Sequence, residues 1–184
     1  MACFKYLKGK LFIENISVQN IIKKNRTPFY LYSEKQIKEN YLKFAKNFRN
    51  VRPLICFAAK ANTNLTIMRI LGKLGSGADV VSGGELLKAL KAGIKPNKIV
   101  FSGVGKTEEE LKLAIEKKIL LINVESESEA ILINEIGKKI NKVISIGFRL
   151  NPNVDAKTHK KISTGKAENK FGVSIKNFSS FYKK

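Results

Sequence analysis

The chain is poor in several residue types, and each shortage closes a route. Only two cysteines, Cys3 and Cys56, occur in 184 residues. They form neither a metal-spaced pair nor a disulfide framework, so both are expected to be reduced, Cys56 as a small core residue. The single histidine, His159, sits in a polar stretch and reads as a solvated surface side chain. No apolar run approaches the ~20 residues needed to cross a bilayer. Residues Met1 to Lys10 mix lysines with single apolar residues and lack the hydrophobic centre of a signal sequence. A cytoplasmic protein without a membrane partner is expected. Acidic residues are scarce, 15 against 35 Lys and Arg, for a net charge of +20. That excess invites a nucleic-acid reading, which three observations oppose. The excess is nearly all lysine, whereas arginine is the better reader of bases and phosphates. The lysines are spread over every predicted helix. No platform of interleaved aromatic and basic residues appears.

What remains is a chain built for a core. Hydrophobic residues make up 43%, against a disordered chain, and the length suffices for one domain. Strand-like and helix-like segments alternate. Pro28 to Tyr32 is a short β-rich run. Ser33 with Gln36 suggests a capping box, and Ile37, Tyr41, Phe44 and Phe48 share one helical face. Strands are predicted over Leu54–Ala59, Ala78–Val81, Lys98–Ser102, Ile119–Val124 and Val143–Leu150. Helices between them start near Leu65, at Ser82 with Glu85, at Thr107 with Glu110, and at Ser126 with Glu129. Gly75 and Gly93 suit helix ends. A polar segment follows Asn151, and a last helix is predicted near Ser174.

Strands that alternate with helices argue for a parallel sheet in an α/β fold. The mostly continuous apolar strands suggest a sheet covered on both faces. An open doubly wound sheet and a (β/α)₈ barrel both fit. A complete barrel needs about 250 residues and eight strands, so a barrel here would be incomplete, with about five of the eight.

In such folds the site gathers at the C-terminal strand ends. Lys60, Asp79 and Arg149 fall there. Lys60 follows an apolar run, and desolvation favours the neutral amine that Schiff-base chemistry needs. Asp79 suits a cation or a cofactor nitrogen. Arg149 suits a carboxylate, a phosphate or a charged ring oxygen. Each has a plainer alternative. Lys60 is one lysine among many, Asp79 also suits a pair with a nearby lysine, and Arg149 also suits a strand-end salt bridge. Glu85 reads first as a helix-capping carboxylate. Two motif-like runs fail. Gly105-Lys106-Thr107 ends like a phosphate-binding loop, but Val100 stands where its first glycine belongs. Gly75-Ser76-Gly77 lacks the third glycine of a dinucleotide fingerprint and precedes its strand.

Several ordered blocks resemble the fold-type III pyridoxal-phosphate-dependent decarboxylases. Phe57 to Asn62 (FAAKAN) is similar to the family's cofactor-lysine segment, and Asp79 to Leu86 (DVVSGGEL) to its next signature. Lys98 to Thr107 (KIVFSGVGKT), Asn123 to Ser126 (NVES) and Arg149 to Val154 (RLNPNV) resemble the next three strand ends. His159 to Gly165 (HKKISTG) and Lys170-Phe171-Gly172 look like blocks of the diaminopimelate decarboxylase type.

The resemblance implies a (β/α)₈ barrel of the alanine racemase and ornithine decarboxylase type, spanning 28–184 here in truncated form. Residues 1–27 would be a segment that normally joins a C-terminal β domain. It implies pyridoxal 5'-phosphate held on Lys60, with Asp79 and Arg149 lining the cofactor site and Glu85 supporting it from behind. It places Lys170 near a homodimer interface. The implied reaction on a small amino-acid substrate is decarboxylation of meso-diaminopimelate to L-lysine. Decarboxylases of ornithine, arginine or carboxynorspermidine are the near alternatives, and a non-catalytic remnant or half of a split enzyme is the distant one. The family's ring-stacking histidine, glycine-rich phosphate loop, pyridine-contacting glutamate and cross-dimer cysteine have no matching segment up to Lys184. The 184-residue form alone is therefore expected to be poorly stable and inactive.

Overall fold

A computed structural model describes residues 3–48, 50–154, 172–174 and 178. The chain opens with an antiparallel meander of β1 (Phe4–Leu7), β2 (Lys10–Ile13) and β3 (Ile16–Ser17), followed by α1 (Val18–Ile22). Its turn residue Glu14 reaches the next helix, accepting hydrogen bonds from Ser33 Oγ at 2.7 Å and from the Lys35 amide at 3.1 Å. Pro28–Tyr32 is irregular and forms no strand. The segment pairs with no strand among the described residues, and it carries a cis Thr27–Pro28 bond. Helix α2 (Glu34–Lys46) follows.

The centre of the fold is a five-stranded parallel sheet in simple sequential order. It comprises β4 (Cys56–Ala58), β5 (Gly77–Val80), β6 (Ile99–Phe101), β7 (Leu121–Val124) and β8 (Ile146–Phe148). Helices α3 (Leu65–Lys73), α4 (Gly83–Lys91), α5 (Glu108–Glu116) and α6 (Glu127–Lys139) connect consecutive strands. The outer edges of β4 and β8 have no partner strand among the described residues. Sequential order with an open seam is the arrangement of part of a (β/α) barrel; a doubly wound sheet reverses its order at a switch point.

Strand parity decides where the core sits. Ala59, Ala78, Val80, Ile99, Phe101, Ile122 and Val124 point to the helical side and are at most 1% exposed. They meet Met68, Leu86, Ala89, Leu111, Ala114, Ile133 and Ile136 from the four helices. The opposite face carries smaller and more polar residues at the C-terminal strand ends. Cys56 belongs to that opposite face and is only half-buried. The predicted fifth strand is also too long. Val143 is fully exposed, and after β8 the chain forms the separate β9 (Leu150–Asn151), which pairs in parallel with β10 (Val173–Ser174). Ser174 is thus in a strand, and the helix predicted to begin near it is represented by Phe178, which is helical. His159 and Lys170, with most of their blocks, lie outside the described residues.

The helix starts follow the serine–threonine pattern with one variation. Ser33, Ser82, Thr107 and Ser126 each accept a hydrogen bond from the amide three residues on. The reciprocal half of the box closes only at Thr107–Glu110. At Ser33 the Gln36 side chain turns to Asn40 instead. Glu85 and Glu129 reach one residue further back, to the amides of Val81 (2.9 Å) and Glu125 (2.7 Å). Glu110 also accepts from the Gly83 amide at 2.7 Å, joining the starts of α4 and α5.

Leu86 is fully buried and its neighbour Leu87 is 51% exposed. Leu86→Ala is expected to lower unfolding free energy by ~2–5 kcal/mol, and Leu87→Ala by less than ~0.5 kcal/mol, as read by urea denaturation. The Gly83 amide, and after it the Thr107 contacts, hold the Glu110 carboxyl below the usual carboxylate range. A depressed carboxylate contributes stability above the usual range and loses it as pH falls through the lowered value. Glu110→Gln cannot titrate, so its urea midpoint should fall less between neutral pH and pH ~3 than that of the unsubstituted protein.

Candidate active site

Neighbouring strands set Ala58 opposite Asp79, Asp79 opposite Val100, Val100 opposite Leu121, and Asn123 opposite Gly147. Side chains two residues apart on a strand share a face. One inner face thus collects Asp79, Ser102, Asn123 and Arg149 at the C-terminal ends of four strands. Lys60 joins them from the 3-10 turn Ala59–Ala61 that ends β4. All five line one cavity of about 640 Å³, with Val81, Gly103, Val104, Glu125 and Phe148. Gly147 leaves this face open, because a Cβ there would stand 2.9 Å from Asn123 Oδ1.

Two hydrogen-bonded arms shape the cavity. In the first, Asn123 Nδ2 donates to Ser102 Oγ at 2.9 Å, and Ser102 Oγ donates to Asp79 Oδ1 at 2.5 Å. In the second, Arg149 Nη1 pairs with Glu125 Oε1 at 3.0 Å, the Glu125 side chain being 3% exposed and that of Arg149 38%. Glu125 also accepts from the Gly103 amide at 3.1 Å and the Gly172 amide at 3.2 Å. Gly103 sits at φ +94°, where a Cβ would crowd Val81 Cβ at 3.2 Å, so glycine is needed on both counts. Near the bottom of this face, burial and then the Asp79 carboxylate push the Cys56 thiol up. Cys56 is therefore a poor nucleophile.

The structure brings together all three strand-end candidates named from sequence. Lys60, Asp79 and Arg149 line the same cavity. The expected apolar surroundings of Lys60 are absent, because its side chain is exposed and makes no ion pair or hydrogen bond with a described residue. Of the residues before it, Phe57 and Ala59 point to the helices, and only the small Cys56 and Ala58 share its face. Asp79 binds the Ser102 hydroxyl instead of a lysine. Arg149 does form the strand-end salt bridge, with Glu125. Glu85 caps α4 and holds the amide of the cavity residue Val81. Sequence reasoning passed over Ser102, Asn123 and Glu125 as site residues. Their signal was parity read through the strand register: Ser102 lies two residues past Val100, which stands opposite Asp79, and Asn123 and Glu125 lie two and four past Leu121, which stands opposite Val100. It also passed over Lys106, whose side chain is 1% exposed.

The fold and site define a parallel β/α protein with a primary amine, a carboxylate and a guanidinium converging at the strand C-termini. The family pattern described as "Pyridoxal-dependent decarboxylase, pyridoxal binding domain" matches residues 34–184. The chain belongs to this family. It is 49% identical over 172 residues to a diaminopimelate decarboxylase of Aquifex aeolicus, covering 94% of this chain and 40% of that protein. The crystal structure of a Helicobacter pylori diaminopimelate decarboxylase complexed with L-lysine superposes with a TM-score of 0.87 at 47% identity, over 90% of this chain and 42% of the other. A Methanocaldococcus jannaschii diaminopimelate decarboxylase in co-complex with L-lysine also gives 0.87, at 42% identity, over 98% of this chain and 43% of that one. The chain thus spans about two-fifths of the length of these relatives. Among the described residues no helix is long and apolar enough to cross a membrane, and no cluster of metal-ligating side chains occurs.

Removing the Glu125 carboxylate would take away an acceptor shared by the Gly103 and Gly172 amides and the Arg149 guanidinium. Glu125→Ala is expected to cost ~2–4 kcal/mol in urea unfolding, and Glu125→Gln less, because one acceptor oxygen remains.

Proposed function

We propose that this chain is the pyridoxal-phosphate-binding part of a decarboxylase that converts meso-diaminopimelate to L-lysine and carbon dioxide. The observation that carries the reading is the convergence of Lys60, Asp79 and Arg149 on one cavity in a chain of this family. The donor set suits the cofactor. Lys60 offers an amine without a competing partner among the described residues, the group that would hold an aldehyde covalently. Asp79, kept in place by Ser102, faces positive charge on a ring nitrogen or a substrate ammonium. Arg149, anchored by Glu125, offers its guanidinium to an anionic group. The cavity volume falls in the range of small-ligand sites.

When bound, the cofactor supplies an electron sink for the pair released with carbon dioxide. The protein's share is placement. Lys60 would hold the cofactor when no substrate is bound. Asp79 and Arg149 hold charges of opposite sign across the cavity, a pattern that orients a zwitterionic amino acid. Glu85 keeps Val81, and with it the cavity wall, fixed to α4. The choice of diaminopimelate over ornithine, arginine or carboxynorspermidine is supported by the relatives named above and by the HKKISTG and KFG blocks.

The same reading extends to assembly. Residues 1–27 form the segment that joins a C-terminal β domain, and 28–184 the barrel part. Exposed Phe4, Tyr6 and Leu7 on the meander support a covering partner there. The complete protein would act in the cytoplasm as a homodimer, with Lys170 near the interface.

Pyridoxal phosphate added to the full-length protein is expected to give a shifted visible absorption band. Borohydride should then fix the cofactor on the Lys60 peptide by mass spectrometry, and Lys60→Ala should abolish both. Lysine formation from meso-diaminopimelate, but not amine formation from ornithine or arginine, is the matching activity result. No band and no labelled peptide would favour a non-catalytic remnant.

A further inference from the structure

Lys106 does not line the strand-end cavity, yet both arms of the cavity lead back to it. Its Nζ donates to Gly103 O at 2.7 Å, Asn123 O at 2.8 Å and Glu129 Oε1 at 2.9 Å. The Asn123 side chain starts the chain through Ser102 to Asp79. Glu129 uses its other oxygen to hold the Glu125 amide at 2.7 Å, and Glu125 anchors Arg149. Gly103 closes the circuit, since its amide donates to Glu125 while its carbonyl receives Lys106.

We propose that Lys106 is a positioning residue: it fixes the Asp79 arm and the Arg149 arm relative to each other, and so sets cofactor and substrate affinity. This rests on the reading of the cavity as a pyridoxal phosphate site. An ammonium suits the task because it has three donors and meets three acceptors from three different segments. A planar guanidinium could not match that arrangement. The Phe101 ring, 5.7 Å from Nζ, excludes water from one side. A lysine that only stabilised the fold would have no reason to take all its acceptors from segments that build the cavity wall or anchor its charges.

The test uses Lys106→Met in the full-length protein, with Ile133→Ala as a control. Ile133 is 2% exposed on the helical side, so its truncation lowers Tm without touching the inner face. For Lys106→Met, pyridoxal phosphate Kd and substrate KM are expected to rise about 10- to 100-fold, the range for loss of outer partners of a bound ligand. The value of kcat should change less. Ile133→Ala should leave Kd and KM unchanged. A crystal structure of the variant without cofactor should show Gly103 and Glu125 displaced by more than ~0.5 Å, the tolerance of a working site. If Lys106→Met fails to fold, Glu129→Gln removes the partner charge with little change of shape and should shift Kd in the same direction. Unchanged Kd and KM with an unmoved cavity, at a Tm loss matching the control, would overturn the proposal. If the unsubstituted protein takes up no pyridoxal phosphate, the reading of the site fails instead. The variant crystal structure alone then decides the role of Lys106, for it or against it.

Discussion

The rim of the sheet depends on carboxylates at the third position of successive helices. A helix begins with backbone amides that lack intrahelical acceptors, and a parallel strand ends beside it with amides of its own. Ser82, Thr107 and Ser126 take the helix amides, and Glu85, Glu110 and Glu129 take amides around them. Glu85 holds Val81 at the end of β5, and Glu129 holds Glu125 at the end of β7. Glu110 closes its own cap and takes the Gly83 amide from the neighbouring unit. Each βα turn is therefore tied to the turn beside it. The loops that carry Ser102, Gly103 and Glu125 are held at fixed heights above the sheet.

That fixing allows the two faces of one sheet to do different work. Side chains toward the helices are apolar and sealed, and they supply the burial that holds the fold together. Side chains on the other face are small along the strands and polar at their C-terminal ends. Charge is also segregated. The protein carries +20 overall, yet the strand-end cavity holds Asp79 and Glu125 against Lys60 and Arg149. Among the described residues the other lysines lie outside this cavity, many of them on helices and in turns. Net charge is thus a poor guide to this site, as its lysine-dominated composition already argued.

Much of this was legible in sequence because it follows from local rules. Helix starts were marked by Ser or Thr with a Glu three residues on, and Gly75 and Gly93 end their helices with positive φ. The five central strands were found, with ends overrun by one to three residues, since apolar residues continue past the hydrogen-bonded part. The burial of Lys106 was not legible. In a chain with 35 basic residues nothing local separates a lysine with three buried acceptors from one in water. Its partners come from three segments that meet only after the sheet forms. Pro28–Tyr32 misled for a different reason: β-favouring composition makes a strand only when the segment pairs, and this one pairs with no described strand.

The exposed amine of Lys60 is the point on which fold and chemistry bear differently. Its position is determined by β4 and the turn after it, and needs nothing from the unpaired sheet edges. Its environment is another matter. A lysine that works through its neutral amine needs water kept away or a cation placed nearby. Arg149 lines the same cavity, while the Lys60 side chain itself is exposed. The placement of the Lys60 amine is thus a property of β4 and the turn after it, while the role proposed for it depends on what shields it when a ligand is bound.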